Sequence, residues 1–149
     1  MGAPNRSARQ RVLFLCTHNS ARSQIAEGLL RAVAGDRFDV ASAGTVATSL
    51  RPEAVAVMHE LGIDISTQSS TAIERYRGEH FDWVITVCDD ARESCPVFPG
   101  ARMAHWNFVD PAAFRGGDAD RLQLYRSVRD EIATRVRGFA AGDRAGEQP

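Results

Sequence analysis

Short apolar runs alternate with amphipathic stretches along most of this chain. Four runs predict β-strands, because they are apolar or rich in β-branched and aromatic residues and are bounded by polar or glycine positions. These predicted strands cover residues 11–15, 38–43, 81–87 and 101–106. The first run is nearly all apolar, which is typical of a parallel strand covered on both faces.

Apolar residues at helical spacing predict helices between and after these strands. The long ones cover residues 23–33, 52–61 and 118–141, and a short one covers 72–76. Pro52 suits a helix start, and Gly35 and Gly62 follow two of the helix ends. Prolines and glycines predict two loops, an irregular or partly helical one at residues 89–100 and another at 107–117.

Strands that alternate with helices form parallel sheets with right-handed crossovers. We therefore predict one α/β domain, a three-layer sandwich in which helices flank a four-stranded parallel sheet. A length of 149 residues suits a single domain with a real core. The domain should span residues 11–141, between a disordered N-terminal arm, 1–10, and a flexible C-terminal tail, 142–149.

Composition and charge narrow the choice of partners. Hydrophobic residues make up 44% of the chain and charged residues 25%, and the net charge of −1 suggests neither a nucleic-acid nor a membrane partner. The polar N-terminus is not a secretory signal, so we expect a cytoplasmic protein, and we expect it to be a monomer. The 4 histidines form no ligand cluster, so no metal site is predicted.

The sequence Cys-Thr-His-Asn-Ser-Ala-Arg-Ser, residues 16–23, lies between the first predicted strand and the first predicted helix. Such a strand–loop–helix turn points backbone N–H groups at one spot, where the helix dipole adds positive potential. The turn suits a tetrahedral oxyanion, and an arginine guanidinium can bind two of its oxygens. The predicted oxyanion-binding residues are Thr17, His18, Asn19, Ser20, Ala21 and Arg22.

Cys16 is the predicted nucleophile of this pocket. Nearby donors should lower the pKa of its thiol, so that the thiolate is present at neutral pH. Ser23 could donate to this thiolate as well as cap the helix, and Asn19 could hold the loop through its amide. His18 is predicted to be exposed and not to act as a base. The alternative is a small buried cysteine with a chance Cys-x5-Arg spacing.

Ligands of parallel sheets bind beyond the carboxyl ends of the strands, so groups that follow strands should meet at one edge. Asp110, in the loop after the fourth predicted strand, is a candidate general acid; otherwise it only forms a turn with Pro111. Cys88 follows the third strand, and Cys95 lies seven residues further on. Two thiols beside a thiolate suggest serial thiol–disulfide exchange, the alternative being a buried Cys88 with an incidental Cys95.

These segments together resemble the thioredoxin-coupled arsenate reductases, which share the fold of the low-molecular-weight protein tyrosine phosphatases. The matching pieces are residues 12–24, 26–28, 42–44, 62–66, 87–89, 95–96 and 105–112. The phosphate-loop motif alone does not separate reductases from phosphatases. The pair Cys88 and Cys95 does, and it indicates a reductase.

The resemblance implies a three-thiol relay. Cys16 would attack arsenate held by the loop and Arg22, while Asp110 protonates the departing oxygen. Cys88 would then attack the adduct of Cys16 and arsenic, releasing arsenite and leaving a Cys16–Cys88 disulfide. Cys95 would attack Cys88 next, and thioredoxin would reduce the resulting Cys88–Cys95 disulfide without any bound cofactor.

A potassium ion is a further property of some relatives. They bind it with residues matching Asn19, Glu27 and Ser42, together with an aspartate shortly after the 62–66 segment. Thr71 stands at the place of that aspartate here, which weakens the case for a potassium site.

Two other functions fit the same residues. A tyrosine or small-molecule phosphatase would use Cys16, Arg22 and Asp110 through a phosphocysteine intermediate. A thiol redox sensor or oxyanion-binding partner protein would oxidise Cys88 and Cys95 without consuming thioredoxin catalytically. The electron donor is also open, because a low-molecular-weight thiol system could replace thioredoxin, although the presence of both Cys88 and Cys95 argues against that need.

Overall fold

The chain folds around a parallel β-sheet in a computed structural model that describes residues 9–88 and 98–142. The strands are β1 (Gln10–Cys16), β2 (Phe38–Gly44), β3 (Trp83–Thr86) and β4 (Arg102–His105), in the order β2-β1-β3-β4. The described helices are α1 (Arg22–Ala34), α2 (Pro52–His59) and α3 (Asp118–Ala140), with short 3₁₀ helices at Ile73–Tyr76 and Pro111–Ala113. The predicted α/β class and four-stranded parallel sheet are confirmed.

The central strand is β1, and its composition explains its position. It pairs in parallel with β2 on one side and β3 on the other. Residues 12–15 are at most 1% exposed, so both faces of the strand are covered. An unbroken apolar run is what two covered faces require. In β2, by contrast, Asp39 is exposed between the buried Phe38 and Val40.

The described helices pack against one another as well as on the sheet. α1, in the crossover from β1 to β2, contacts α3, and α2, in the return from β2 to β3, contacts both of them. Hydrogen bonds from Arg126 and Arg129 of α3 connect it to Glu60, directly after α2, and lower the pKa of the Glu60 carboxyl group.

None of the described helices combines the length and the apolar character needed to cross a membrane.

The first strand begins earlier than predicted. Gln10, assigned to the disordered arm, belongs to β1, because it pairs with Phe38 and its N–H donates to the Arg37 carbonyl over 3.1 Å. The other predicted strands and helices agree with the structure to within two residues at each end, and the short helix is the 3₁₀ helix Ile73–Tyr76. Residues 1–8 of the predicted arm, most of the 89–100 loop with Cys95, and most of the tail lie outside the described residues.

The carboxyl ends of the strands form the edge on which a ligand would bind. The chain leaves β1 on one side towards β2 and later continues on its other side at β3, which opens a crevice at the end of β1. Cys16 ends β1 and pairs with Gly44 at the end of β2. A Cβ at Gly44 would lie 2.7 Å from Thr17 O and 2.8 Å from Asn19 N. The loop after Cys16 therefore requires glycine at position 44.

We predict that Gly44→Ala destabilises the fold by about 1–3 kcal/mol, because the added methyl group must displace the loop backbone. Denaturant unfolding would measure this loss as a lower midpoint. Gly117→Ala is the matched control, since nothing lies within 4 Å of a Cβ there and its φ is −69°. Equal midpoints for the two variants would contradict the requirement for glycine.

Candidate active site

The loop after Cys16 turns the chain from β1 into α1. Asn19 adopts a φ of 51°, a left-handed conformation that asparagine tolerates better than most residues. Its backbone N–H points back and donates to Cys16 Sγ over 3.2 Å. Ala21, the N-cap residue of α1, has no side chain that could cap the helix, so the first N–H groups of α1 need another acceptor. The backbone N–H groups of the loop and of the first turn of α1 thus provide the hydrogen-bond donors and the positive potential that bind an oxyanion.

Cys16 lies at the bottom of this loop. Its side chain is buried, and its sulfur lies 2.8 Å from Ser23 Oγ in addition to the Asn19 N–H. Donors at both positions stabilise negative charge on the sulfur. The structure therefore brings the predicted nucleophile and Ser23 into direct contact.

The Asn19 side chain determines which partner donates in the contact between Cys16 and Ser23. The backbone N–H of Thr71 can only donate, and it bonds to Asn19 Oδ1 over 2.8 Å, so the amide nitrogen faces the other way. That nitrogen donates to Ser23 Oγ over 2.7 Å and to Ser42 Oγ over 2.9 Å. Because Ser23 Oγ accepts from Asn19, its own proton is available to the Cys16 sulfur.

Ser42 extends this network to α1. Its hydroxyl donates to Glu27 Oε1 over 2.5 Å. Gln24 adds a contact that was not predicted from the sequence: its Nε2 donates to Asn19 O over 2.9 Å and to Asn19 Oδ1 over 3.2 Å. The available signal was a glutamine directly before the apolar face of the predicted helix, where it is fully buried. Buried polar residues need partners, and here the partner is the loop.

Arg22 connects the loop to the segment after β4. Its side chain is largely buried, and Nη1 donates to the Phe108 carbonyl over 3.2 Å. Nη2 lies 3.5 Å from Asp110 Oδ2, while Asp110 Oδ1 accepts from the Ala112 N–H over 3.0 Å. Both carboxyl oxygens of Asp110 thus have a protein partner, although its side chain is 34% exposed. Arg22 and Asp110 therefore lie next to each other beside the Cys16 loop.

Tyr125 of α3 adds a neutral neighbour to this segment. The residue is fully buried. Burial, followed by the carboxylates of Glu53 and Asp110, raises the pKa of its hydroxyl to about 12. Tyr125 therefore remains uncharged near neutral pH and adds no negative charge to the surroundings of Asp110.

Cys88 lies beside the Cys16 loop. It follows β3 by two residues and is 5% exposed, and its sulfur lies 3.4 Å from Thr17 Oγ1. Cys16 and Cys88 are both free thiols. The second thiol thus contacts the residue that follows the predicted nucleophile. Cys95, the third cysteine of the predicted relay, lies outside the described residues.

A cavity of about 550 Å³ opens beside the loop. Its lining includes His18, Ser20, Arg51 and Asp110. His18 is exposed there, and Ala21 is buried at the start of α1, where it offers only backbone groups to a ligand. His18 and Ser20 therefore line the cavity, whereas Ala21 lies buried where the loop meets α1.

The oxygen atoms behind the loop do not suit a bound potassium ion. Across residues 9–88 and 98–142, no group of three or more His, Cys, Asp or Glu side chains could hold a metal. The oxygens that the resemblance assigned to potassium are already engaged. Glu27 Oε1 accepts from Ser42, Glu27 Oε2 lies against Arg31, and Asn19 Oδ1 accepts from the Thr71 N–H. A positive guanidinium against Glu27 disfavours a second cation at that place.

Sequence comparisons place these features among known proteins. The family model for low molecular weight phosphotyrosine protein phosphatase matches residues 11–147. An arsenate reductase of Halalkalibacterium halodurans is 45% identical over 130 residues, covering 87% of this chain and 94% of that protein.

Structural comparisons give the same grouping. An arsenate reductase in the phosphate binding state superposes with a TM-score of 0.73 at 32% identity, covering 89% of this chain and 97% of the other. A thioredoxin-dependent arsenate reductase of Corynebacterium glutamicum gives 0.69 at 29% identity, covering 94% of this chain and 64% of the other. Since the family model matches nearly the whole chain, this protein belongs to the low molecular weight phosphotyrosine protein phosphatase family.

Proposed function

We propose that this protein is an arsenate reductase that converts arsenate to arsenite through a three-cysteine relay. The observation that carries the proposal is the position of Cys88, whose sulfur lies 3.4 Å from Thr17 Oγ1 in the loop that follows Cys16. Hydrolysis of a phosphocysteine needs only water, whereas a thiol relay needs a second thiol at this place. Curated relatives named arsenate reductase, 45% identical in one case, support the same conclusion.

In the first step Cys16 attacks arsenic. A sulfur–arsenic bond forms, and an arsenic–oxygen bond breaks as one hydroxyl group takes a proton and departs as water. Asp110 gives this proton, because its carboxyl group is partly exposed and is held in place by Arg22 and the Ala112 N–H. The loop N–H groups and the Arg22 guanidinium bind the remaining oxygens.

In the second step two electrons pass from sulfur to arsenic. Cys88, after losing its proton to water, attacks Cys16 Sγ, so a sulfur–sulfur bond forms and the sulfur–arsenic bond breaks. The bonding pair stays with arsenic, which leaves as arsenite. Cys16 and Cys88 are oxidised to a disulfide, and arsenic is reduced from the +5 to the +3 state.

Cys95 and thioredoxin complete the cycle. Cys95 attacks Cys88, which frees Cys16 and gives a Cys88–Cys95 disulfide, and the dithiol of thioredoxin reduces that disulfide. The thioredoxin-dependent relative of Corynebacterium glutamicum supports this electron donor. We place the reaction in the cytoplasm, where such reductants keep thiols reduced, in a monomer without resident metal or bound cofactor.

Phosphate ester hydrolysis is the second candidate, because the family is described as phosphotyrosine protein phosphatase. Cys16, Arg22 and Asp110 also suit a phosphocysteine intermediate. Arsenate and phosphate are nearly the same shape, so we expect residual phosphatase activity. Cys88 takes no part in that reaction.

We predict that Cys88→Ser and Cys95→Ser each abolish arsenate-dependent oxidation of NADPH with thioredoxin and thioredoxin reductase present. Each variant lacks a sulfur atom that one of the successive disulfides of the relay requires. Hydrolysis of an aryl phosphate by the same variants is the control, and it should remain at the parent rate because Cys16, Arg22 and Asp110 are intact.

Full arsenate turnover by Cys88→Ser would rule out the relay. If the folded, reduced parent protein gives no arsenate-dependent signal but hydrolyses aryl phosphates, the phosphatase is the better assignment.

We predict that Asp110→Asn lowers the single-turnover rate of arsenate reduction by about 100-fold, because asparagine cannot supply a proton. Its side-chain oxygen still accepts from the Ala112 N–H, so the segment should stay in place. Asp36→Asn, which removes the same charge from an exposed residue, is the control. Rapid-quench measurement of arsenite gives the rate, and an unchanged rate would assign the proton to a different group.

A further inference from the structure

We propose that Arg31 is a positioning residue for Cys16, because its guanidinium closes the hydrogen-bond network that ends at the nucleophile. Arg31 lies on α1, nine residues beyond Arg22. The inference rests on Cys16 being the nucleophile of the proposed function, but not on arsenate being its substrate.

One arm of the network runs from Arg31 through Glu27. Arg31 Nη2 lies 2.5 Å from Glu27 Oε2, and the Ser42 hydroxyl donates to the other oxygen over 2.5 Å. Ser42 in turn accepts from the Asn19 amide that also donates to Ser23. The Glu27 side chain is only 12% exposed, so its charge would be poorly solvated without the guanidinium.

A second arm runs from Arg31 through two glutamines. Arg31 Nη1 donates to Gln68 Oε1 over 3.1 Å, and Gln68 Nε2 donates to Gln24 Oε1 over 2.8 Å. Gln24 Nε2 then donates to Asn19 O over 2.9 Å. Both arms therefore start at one guanidinium and end at Asn19.

These contacts distinguish Arg31 from an ordinary surface arginine. A Glu–Arg pair four residues apart on a helix needs no other partner and contributes little to stability. Arg31 Nη2 also donates to the Val40 carbonyl of β2 over 2.8 Å, although its side chain is 47% exposed. The guanidinium thus joins α1, β2 and the Gln68 segment at one point.

The charge on Glu27 sets the direction of every bond in the first arm. An ionised carboxylate can only accept, so Ser42 donates to it and must accept from Asn19. The second amide hydrogen of Asn19 then goes to Ser23, whose proton remains for Cys16. Arg31 offsets the charge that sets this direction.

The Arg31 side chain bonds to Gln68, Glu27 and Val40, and to none of the other titratable groups described around the network. Tyr76 is neutral near neutral pH, because burial, followed by the nearby Glu27 carboxylate, raises the pKa of its hydroxyl. The remaining charged or titratable groups described around the loop are His18, Arg22, Arg51, Cys88 and Asp110. A changed pH response of an Arg31 variant is therefore attributable to the guanidinium.

The test uses the full chain carrying Cys88→Ser and Cys95→Ser, in which Cys16 is the remaining thiol. The rate of alkylation by iodoacetamide is measured against pH, together with the ultraviolet absorbance of the thiolate. Arg31→Met should slow alkylation near neutral pH by about tenfold and move the profile to higher pH, because Ser23 no longer donates steadily to the sulfur.

Two variants control for charge and for fold. Arg31→Lys keeps a cation beside Glu27 and should recover most of the parent rate. Arg137→Met removes an exposed arginine from the last turn of α3 and should leave the profile in place. If Arg31→Met does not fold, Gln68→Met interrupts the second arm alone and should shift the profile in the same direction.

The inference is overturned if the folded Arg31→Met variant, or Gln68→Met in its place, has the parent's pH profile. It is also overturned if potassium, compared with choline, speeds alkylation of the parent, since the guanidinium would then not hold the cation position. Alkylation requires no arsenate. If Arg31→Met shifts the alkylation profile but the parent protein does not reduce arsenate, the proposed function is contradicted. The role of Arg31 as a positioning residue for Cys16 is then still supported.

Discussion

The side-chain amide of Asn19 can satisfy its hydrogen bonds in only one orientation, and the site depends on that restriction. The Thr71 N–H holds the amide oxygen, so the nitrogen must face Ser23 and Ser42. Turning the amide around would set donor against donor in a region closed to water, at a cost of about 1–3 kcal/mol for each unpaired group. A backbone N–H 52 positions away from Asn19 therefore decides which way hydrogen bonds run at Cys16.

Thr71 reaches this place because the chain returns to the sheet edge after α2. Its carbonyl accepts from the Gly44 N–H over 2.8 Å, and Ala72 forms a parallel bridge to Gly44. Gly44 has no side chain, so the returning segment and the Cys16 loop can both approach its backbone closely. The groups around Cys16 are therefore positioned by the ends of β1 and β2 and by the segment that returns beside Gly44, as well as by the residues of the loop itself.

Local patterns predicted the fold well, because the burial of each strand and helix depends on its own periodicity. The common direction of parallel strands also predicted that Cys16, Cys88 and Asp110 meet at one edge. The network behind the loop could not be predicted in this way. Gln24 and Gln68 are 44 positions apart, and a glutamine can bond to almost any polar neighbour, so neither residue identifies the other.

In the proposed reaction, Cys88 allows a pocket that could hydrolyse phosphate esters to reduce arsenate instead. Whether Cys88 reacts depends on whether phosphorus or arsenic is bound to Cys16. Cys16, Arg22 and Asp110 can handle phosphate and arsenate alike, because the two oxyanions share charge and shape. Phosphorus in a phosphocysteine does not take two electrons from thiols, so only hydrolysis is open to it. Arsenic does, and attack by Cys88 on the Cys16 sulfur releases arsenite. The reductive step is therefore selective for arsenate even if the Cys16 loop and Arg22 bind arsenate and phosphate equally well.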